Sequence, residues 1–239
     1  MAFEGMLANK VRTFLTMLGI IIGVGAVIAM VSLGLGMQEN VKANITSMGS
    51  NLLIVMSGGR TANGQRIASG SGAHLTYDDA KAIEKNVDGI QYVAPGVQSS
   101  YQLVAGNQNW NTQVQGITPN ILDIRNYKID QGRMYTEKEM TSRDRVAVIG
   151  KTVADNLFPD GGAVGQLVRI NKAPFRVIGV LATKGQSGMG QDQDDVVFIP
   201  LTTAMQRVMG VTYIRNITVQ CANENTIDQV QSDIITLLR

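Results

Sequence analysis

No charged residue stands between Arg12 and Glu39, and this gap constrains the chain more than any other feature. The run Thr13 to Met37 is about 25 residues, roughly 37 Å as an α-helix, against a bilayer hydrocarbon core of roughly 30 Å. It predicts one membrane-spanning helix over 13–37. A cleaved signal peptide is the competing reading. Its apolar core would run about 7–15 residues and end at a small-x-small site. The stretch here is too long for that, although Ser32, Gly34 and Gly36 offer weak cleavage-like chemistry. Lys10 and Arg12 precede the helix, while Glu39 and Lys42 follow it. The positive-inside bias therefore puts residues 1–12 in the cytoplasm and everything after Gln38 outside. Gly19, Gly23 and Ala26 form a stripe of small residues that lets another helix approach closely in lipid. Glycine is common in membrane helices anyway, but a plain tether has no need of such a stripe.

The rest of the composition suits one anchor plus one compact unit, or two small subdomains. Net charge is +2, there is no polybasic block, and aromatics are 5%, so the clustered cations and stacking rings of a nucleic-acid binder are missing. The single cysteine, Cys221, excludes an internal disulfide framework. It ends the apolar-patterned stretch Ile217 to Cys221 and reads as a small buried hydrophobe.

Beyond the membrane, Val41, Ile45 and Met48 continue the helix over 38–48, with Gly49 as its stop. A short strand comes next, over Asn51–Val55. The stretch Ser57–Gly72, rich in Gly, Ser, Asn and Arg, reads as a mobile loop. Thr76 and Asp79 make a capping-box-like start to a helix carrying Ala80, Ile83 and Val87 on one face, stopped at Gly89. Strands are expected at Ile90–Ala94, Val97–Val104 and Asn109–Ile117, the last two joined as a hairpin through Ala105-Gly106-Asn107. Further strands are expected at Arg145–Ile149, Leu167–Ile170, Phe175–Leu181, Val196–Ile199 and Ile214–Gln220. Asn171-Lys172-Ala173-Pro174 is the turn between two of them. Lys151–Phe158 is a short helix stopped at Pro159, and Thr183–Gln193 is a second flexible stretch. Ile227, Val230, Ile234 and Leu237 mark a terminal amphipathic helix with no stop signal, which suggests a natural chain that continues.

Candidate chemistry is sparse. His74, the one histidine, has no second ligand-type cluster around it, and zinc or Ser-His-Asp chemistry needs more. Asp192, Asp194 and Asp195 resemble half of a calcium loop without its Gly-x5-Glu continuation, and read as a solvated charge run. Gly150-Lys151-Thr152 invites a P-loop reading, but Arg145 stands where the opening glycine is required. No catalytic, metal or cofactor-binding residues are expected.

The chain strongly resembles the MacB-type ABC transporter permeases, a superfamily that includes the lipoprotein-release permeases and the cell-division protein FtsX. The resemblance begins at Asn9-Lys10-Val11-Arg12-Thr13-Phe14-Leu15-Thr16-Met17-Leu18-Gly19-Ile20-Ile21-Ile22-Gly23-Val24 and continues through Gly49-Ser50-Asn51-Leu52-Leu53. Gly132-Arg133, Arg145-Val146-Ala147-Val148-Ile149-Gly150, Leu157-Phe158-Pro159 and Val164-Gly165-Gln166 carry it further. Phe175-Arg176-Val177-Ile178-Gly179-Val180-Leu181 and Ile199-Pro200-Leu201 complete it.

The resemblance implies an α+β fold, with one transmembrane helix followed by a two-part extracytoplasmic domain. An α/β porter-like part would occupy 49–140 and 211–239, and a mostly β sabre-like insert 141–210. It further implies a cytoplasmic ATPase subunit or domain, a membrane fusion (adaptor) protein and a second permease copy as partners beside the lipid bilayer. The expected role is the permease-subunit fragment of an efflux transporter for drugs or peptides. The alternatives are a lipoprotein-release or FtsX-like cell-division permease. From another class, a pilin-like anchored subunit would need glutamate five positions after Gly5, where Lys10 stands.

Overall fold

The computed structural model describes residues 10–48, 51–56, 61–62, 65–66, 74–187 and 190–238. The chain divides into two compact units, residues 1–46 and 47–239. The first is dominated by helix α1, Lys10–Met48, whose 39 residues run unbroken for about 58 Å. Within it Met17–Gln38 is long and apolar enough to cross a membrane. Ile20, Ile21, Ile22 and Val27, which point to different sides of the helix, are each more than 60% exposed. In water such a helix would need a protein core on one face and a polar face opposite; an apolar surface all round belongs in lipid. The expected continuation through Met48 is present, while its stop at Gly49 lies outside the described residues.

In the second unit, strand β1 (Leu52–Met56) pairs antiparallel with β11 (Asn216–Cys221), and β11 with β4 (Ile90–Ala105). Helices α2 (Tyr77–Asn86) and α7 (Ile227–Leu237) cover one face of this small sheet. Ala80, Ile83, Val230 and Ile234 meet Val93, Ile217, Val219 and Cys221 in one core. The expected capping box of α2 is formed: Asp79 N donates to Thr76 Oγ1 at 3.2 Å, and Thr76 N donates back to Asp79 Oδ2 at 2.7 Å.

β4 and β5 (Gln108–Ile117) form the expected hairpin, closed at Gly106-Asn107 with Gly106 at φ +57°. Sequence alone divides β4 into two strands at Pro95-Gly96. The structure carries one strand through, because the partner changes there: β11 flanks Ile90–Gly96 and β5 flanks Gly96–Ala105. Pro95 stands one residue before the β5 pairing begins, where a missing N–H costs least.

The remaining elements are α3 (Ile121–Ile124), β6 (Ile129–Gly132), α4 (Glu137–Ser142), β7 (Val146–Ile149), α5 (Lys151–Leu157) and β8 (Leu167–Ile170). They continue with β9 (Ala173–Leu181), β10 (Val196–Pro200) and α6 (Leu201–Thr203), which passes into a π-helical turn, Ala204–Met209. The β8–β9 turn is tighter than expected. Ile170 pairs with Ala173, leaving only Asn171 and Lys172 between them, both at positive φ. That is the pairing of left-handed residues that a two-residue hairpin requires.

Six of these strands close on themselves. β4 pairs β5, β5 pairs β10 in parallel, and β10 pairs β7; β7 pairs β9 in parallel, β9 pairs β8, and β8 returns to β4. Tracing the register once round returns to β4 displaced by about ten residues, so the strands are steeply tilted and the interior is narrow enough for side chains to fill. Leu103, Val114, Ile149, Ile170, Phe175 and Ile199 fill it. Val148, Leu181, Val196 and Phe198 point the other way into a second core with Ile121, Ile124 and Tyr135. Both faces of β7 and β10 are thus covered, which explains why Val146–Ile149 and Val196–Ile199 read as continuous apolar runs rather than alternating ones. β6 pairs with the C-terminal end of β9, Gly179–Leu181, beyond the stretch Ala173–Arg176 that β8 pairs. The circuit takes β4 and β5 from before residue 141 and β7–β10 from after it.

One hairpin arises where the sequence suggested only loop: β2 (Thr61–Ala62) pairs antiparallel with β3 (Gln65–Arg66). The dipeptide between them in sequence, Asn63-Gly64, is a strong hairpin signal that the polar composition of the stretch concealed. The other residues of 57–73 lie outside the description.

A fork-to-fork ion pair fixes the segment before α4. Arg133 Nη1 and Nη2 donate to Glu139 Oε2 and Oε1 at 2.8 and 2.7 Å. Glu139 also accepts from Thr136 N in the capping box of α4. The Arg133 guanidinium, with these bonds, holds the Glu139 carboxyl down at about 2, against an ordinary 4.5. A carboxylate more acidic in the folded state stabilises above the unfolded pKa and loses that contribution as pH falls from about 4.5 towards 2. With Arg133 56% exposed, the contribution is about 1 kcal/mol. Glu139→Gln is expected to remove this part of the acid sensitivity, read as a smaller difference in melting temperature between pH 6 and pH 3.

Candidate functional site

A concavity of about 460 Å³ opens beside the small sheet on the face away from α2 and α7. Its floor and walls come from distant segments. β1 supplies Leu52 and Ile54, β11 Thr218, and β5 Gln113 and Gln115. The turn after α3 supplies Arg125 and Tyr127, and the loop between β9 and β10 supplies Lys184 and Gln191–Gln193. Gln115 Nε2 donates to Gln113 Oε1 at 2.7 Å, so the floor is an amide surface.

Lys184 is held at three points. Its Nζ donates to the Arg125 carbonyl at 2.5 Å and lies 4.5 Å from the centre of the Tyr127 ring. Its backbone N donates to Asp194 Oδ1 at 2.8 Å. Burial, followed by the neighbouring Arg125 charge, pushes the Lys184 ammonium below its usual pKa. Burial pushes the Tyr127 hydroxyl up. That hydroxyl donates to the Gln193 carbonyl at 3.2 Å, and its ring meets Phe198 edge-on at 5.3 Å.

The acidic group expected to be a solvated run is instead a set of braces. Asp194 is buried and accepts from Lys184 N and from Gly185 N, the latter at 2.9 Å. Asp192 accepts from Thr152 Oγ1 at 2.7 Å and from Asp194 N at 2.9 Å, and Asp195 accepts from Trp110 Nε1 at 2.8 Å. The stretch 183–193, expected to be flexible, is therefore tied down on both sides of residues 188–189, which lie outside the description. The physical reason is that a carboxylate can satisfy two backbone N–H groups that have no ladder partner. Gly150, Lys151 and Thr152 serve the same local scaffold. Gly150 N donates to Val196 O at 2.8 Å, Lys151 pairs with Asp155, and Thr152 bonds Asp192.

His74 is exposed and stacks on Tyr213 with ring centres 4.5 Å apart, remote in sequence from every residue of the cleft. Cys221 is buried in the core, as expected. Among the described residues no three His, Cys, Asp or Glu side chains gather as metal ligands. What the cleft offers is binding chemistry: amides, two cations, two hydrogen-bonded carboxylates and an aromatic ring. Gly19, Gly23 and Ala26 share one face of α1, exposed, and a Cβ placed on either glycine would meet nothing within 4 Å beyond the adjacent helix backbone. Lys10 and Arg12 stand in the first turn of the same helix; their side chains lie outside the description.

Residues 13–237 match the MacB-like periplasmic core domain. The chain belongs to that family. The motif resemblance to MacB-type permeases and the mixed helix-and-strand fold behind one apolar helix both hold. The core domain is 39% identical over 236 residues to the macrolide export ATP-binding/permease protein MacB of Bdellovibrio bacteriovorus, covering 99% of this chain and 36% of that protein. It is 40% identical over 238 residues to the MacB of Chlorobaculum tepidum, covering 100% and 36%. The chain thus spans about a third of the length of these relatives. The periplasmic region of MacB from Actinobacillus actinomycetemcomitans superposes with a TM-score of 0.68 at 28% identity, covering 82% of this chain and 86% of that one. The extracellular domain of the noncanonic ABC-type transporter YknZ from Gram-positive bacteria shares the fold, with a TM-score of 0.65 at 21% identity over 79% and 92%.

Several of the family-motif residues have physical reasons here. Asn51 Nδ2 donates to Cys221 O at 2.5 Å, tying the start of β1 to β11. Gly132 and Gly179 face each other where β6 meets β9, and neither leaves room for a Cβ. The cleft left no such trace in the sequence.

Proposed function

We propose that this chain is the first membrane helix and extracytoplasmic core domain of an ABC-type efflux permease. The support is the family match over 13–237 together with relatives named for macrolide export and for an ATP-binding/permease architecture. In this reading Lys10 and Arg12 hold the N-terminus in the cytoplasm, α1 crosses the bilayer, and the domain works outside the membrane. The outer domain comprises a porter-like part, 49–140 and 211–239, and a sabre-like part, 141–210. ATP is hydrolysed on a separate cytoplasmic subunit or domain. A second permease copy or another helix of the same permease packs on Gly19, Gly23 and Ala26, and an adaptor protein docks on the outer domain.

The observation that carries the relay is the continuity of α1. An α-helix is stiff along its axis because every turn is hydrogen-bonded to the next. A helix that leaves the membrane without a break can transmit a displacement to the domain it carries, whereas a flexible linker would absorb it. Inserting a Gly-Ser linker after Gln38 in the full permease is expected to abolish export while ATP hydrolysis continues. Export at the unmodified rate would overturn the relay.

A further inference from the structure

Among the described residues β1 pairs with β11 alone, and none of them covers its other edge. Cys221 N donates to Asn51 O at 2.8 Å, which sets the alternation of the antiparallel pair. Leu53 and Val55 turn their backbone groups to β11, and Leu52, Ile54 and Met56 present theirs outward. Native sheets normally blunt such an edge with a charge, a proline or a bulge. β1 has none of these: it reads Leu-Leu-Ile-Val-Met, with Ile54 60% and Met56 70% exposed.

A cavity flanks this edge on each face. On one side is the amide-floored cleft bordered by Leu52 and Ile54. On the other is an apolar groove of about 310 Å³, between Leu53 and Val55 of β1 and Ile234, Ile235 and Leu238 at α7. Ile54 borders both. Side chains of an extended strand point alternately to opposite faces. A strand laid along β1 would therefore send one set of side chains into the cleft and the other into the groove.

The two cavities ask for different chemistry. The groove asks for branched aliphatics. The cleft holds Arg125 and Lys184, neither within ion-pair distance of a carboxylate among the described residues. Its acids, Asp192 and Asp195, keep their charges but hydrogen-bond to Thr152 and Trp110, outside ion-pair distance of either cation. Two half-buried cations side by side repel, and an incoming anion relieves that repulsion.

We propose that the free edge of β1 accepts an extended segment of a partner protein, in which carboxylates for the cleft alternate with aliphatic side chains for the groove. Main-chain hydrogen bonds supply the affinity and the unlike cavities fix the register. This inference does not rest on the transport reading.

The test uses the whole chain in nanodiscs and two fluorescein-labelled ten-residue peptides, one alternating valine with glutamate and one alternating valine with lysine. Fluorescence anisotropy should show the glutamate peptide binding about tenfold or more tightly than the lysine peptide. Hydrogen exchange at the Ile54 and Met56 amides should slow when it binds. Ile54→Pro removes an outward donor without breaking a bond to β11 and should abolish binding. Arg125→Gln, at a guanidinium with no side-chain partner among the described residues, should erase most of the preference for glutamate. Equal binding of the two peptides, or full binding by a folded Ile54→Pro variant, would overturn the proposal. So would Ile54 protection without peptide: independent of dilution it would mean the chain covers its own edge, and rising with protein concentration it would mean a second copy does.

Discussion

Gly132→Ala is expected to lower the melting temperature of the domain by about 10 °C, corresponding to roughly 3–4 kcal/mol. Two independent penalties meet at this residue. Its φ of +77° lies in the left-handed region, which costs a residue with a Cβ about 1–2 kcal/mol. A Cβ there would also sit 2.1 Å from the Ile178 carbonyl oxygen and 3.0 Å from the Gly179 Cα. Both are backbone atoms, so no side chain can swing away to make room. Gly179 is closed from the other side, since its own Cβ would meet the Arg133 carbonyl oxygen at 2.5 Å. Gly106→Ala is the control. It shares the positive φ, at +57°, but nothing lies within 4 Å of the added carbon. It is expected to cost only the backbone penalty, and thermal melts of the two variants separate strain from collision.

Asp194→Ala should destabilise by about 2–4 kcal/mol and loosen one wall of the cleft. The substitution leaves the half-buried Lys184 and Gly185 N–H groups without their acceptor, which is costlier than losing a solvent-exposed bond. Asp194→Asn keeps one oxygen acceptor and should fall about halfway. Amide exchange at Lys184 and Gly185 is the direct readout and should accelerate in the order wild type, Asn, Ala. Because Lys184 reaches from this loop to the Arg125 carbonyl, the same variants should disturb the cation pair in the cleft.

Local signals in the sequence were legible because their causes are local. The charge-free run made α1 visible, Thr76 with Asp79 announced α2, and Gly106-Asn107 closed a hairpin where expected. Closure of the barrel was not legible. Its last seam joins Leu103–Val104 to Arg169–Ile170, and two of its other pairings are parallel, so neither turn chemistry nor alternation marks them. The brace at Asp194 was hidden for a similar reason. Its partners are backbone N–H groups, which carry no side-chain signature, and an acidic residue in a polar stretch is usually solvated. The cleft was hidden because β1, β5, β11, the turn after α3 and the β9–β10 loop each supply only a few residues to it. The family motifs pointed to backbone packing, as at Gly132 and Gly179, rather than to this cleft.

The proposed role requires that α1 thread the bilayer and that the core domain lie beyond it. Asn107, exposed in the two-residue turn between β4 and β5, is the place to ask. In a Cys221→Ala background, Asn107→Cys in intact cells or spheroplasts should react with a membrane-impermeant maleimide added outside. Labelling only after the membrane is opened would put the domain in the cytoplasm and contradict that topology.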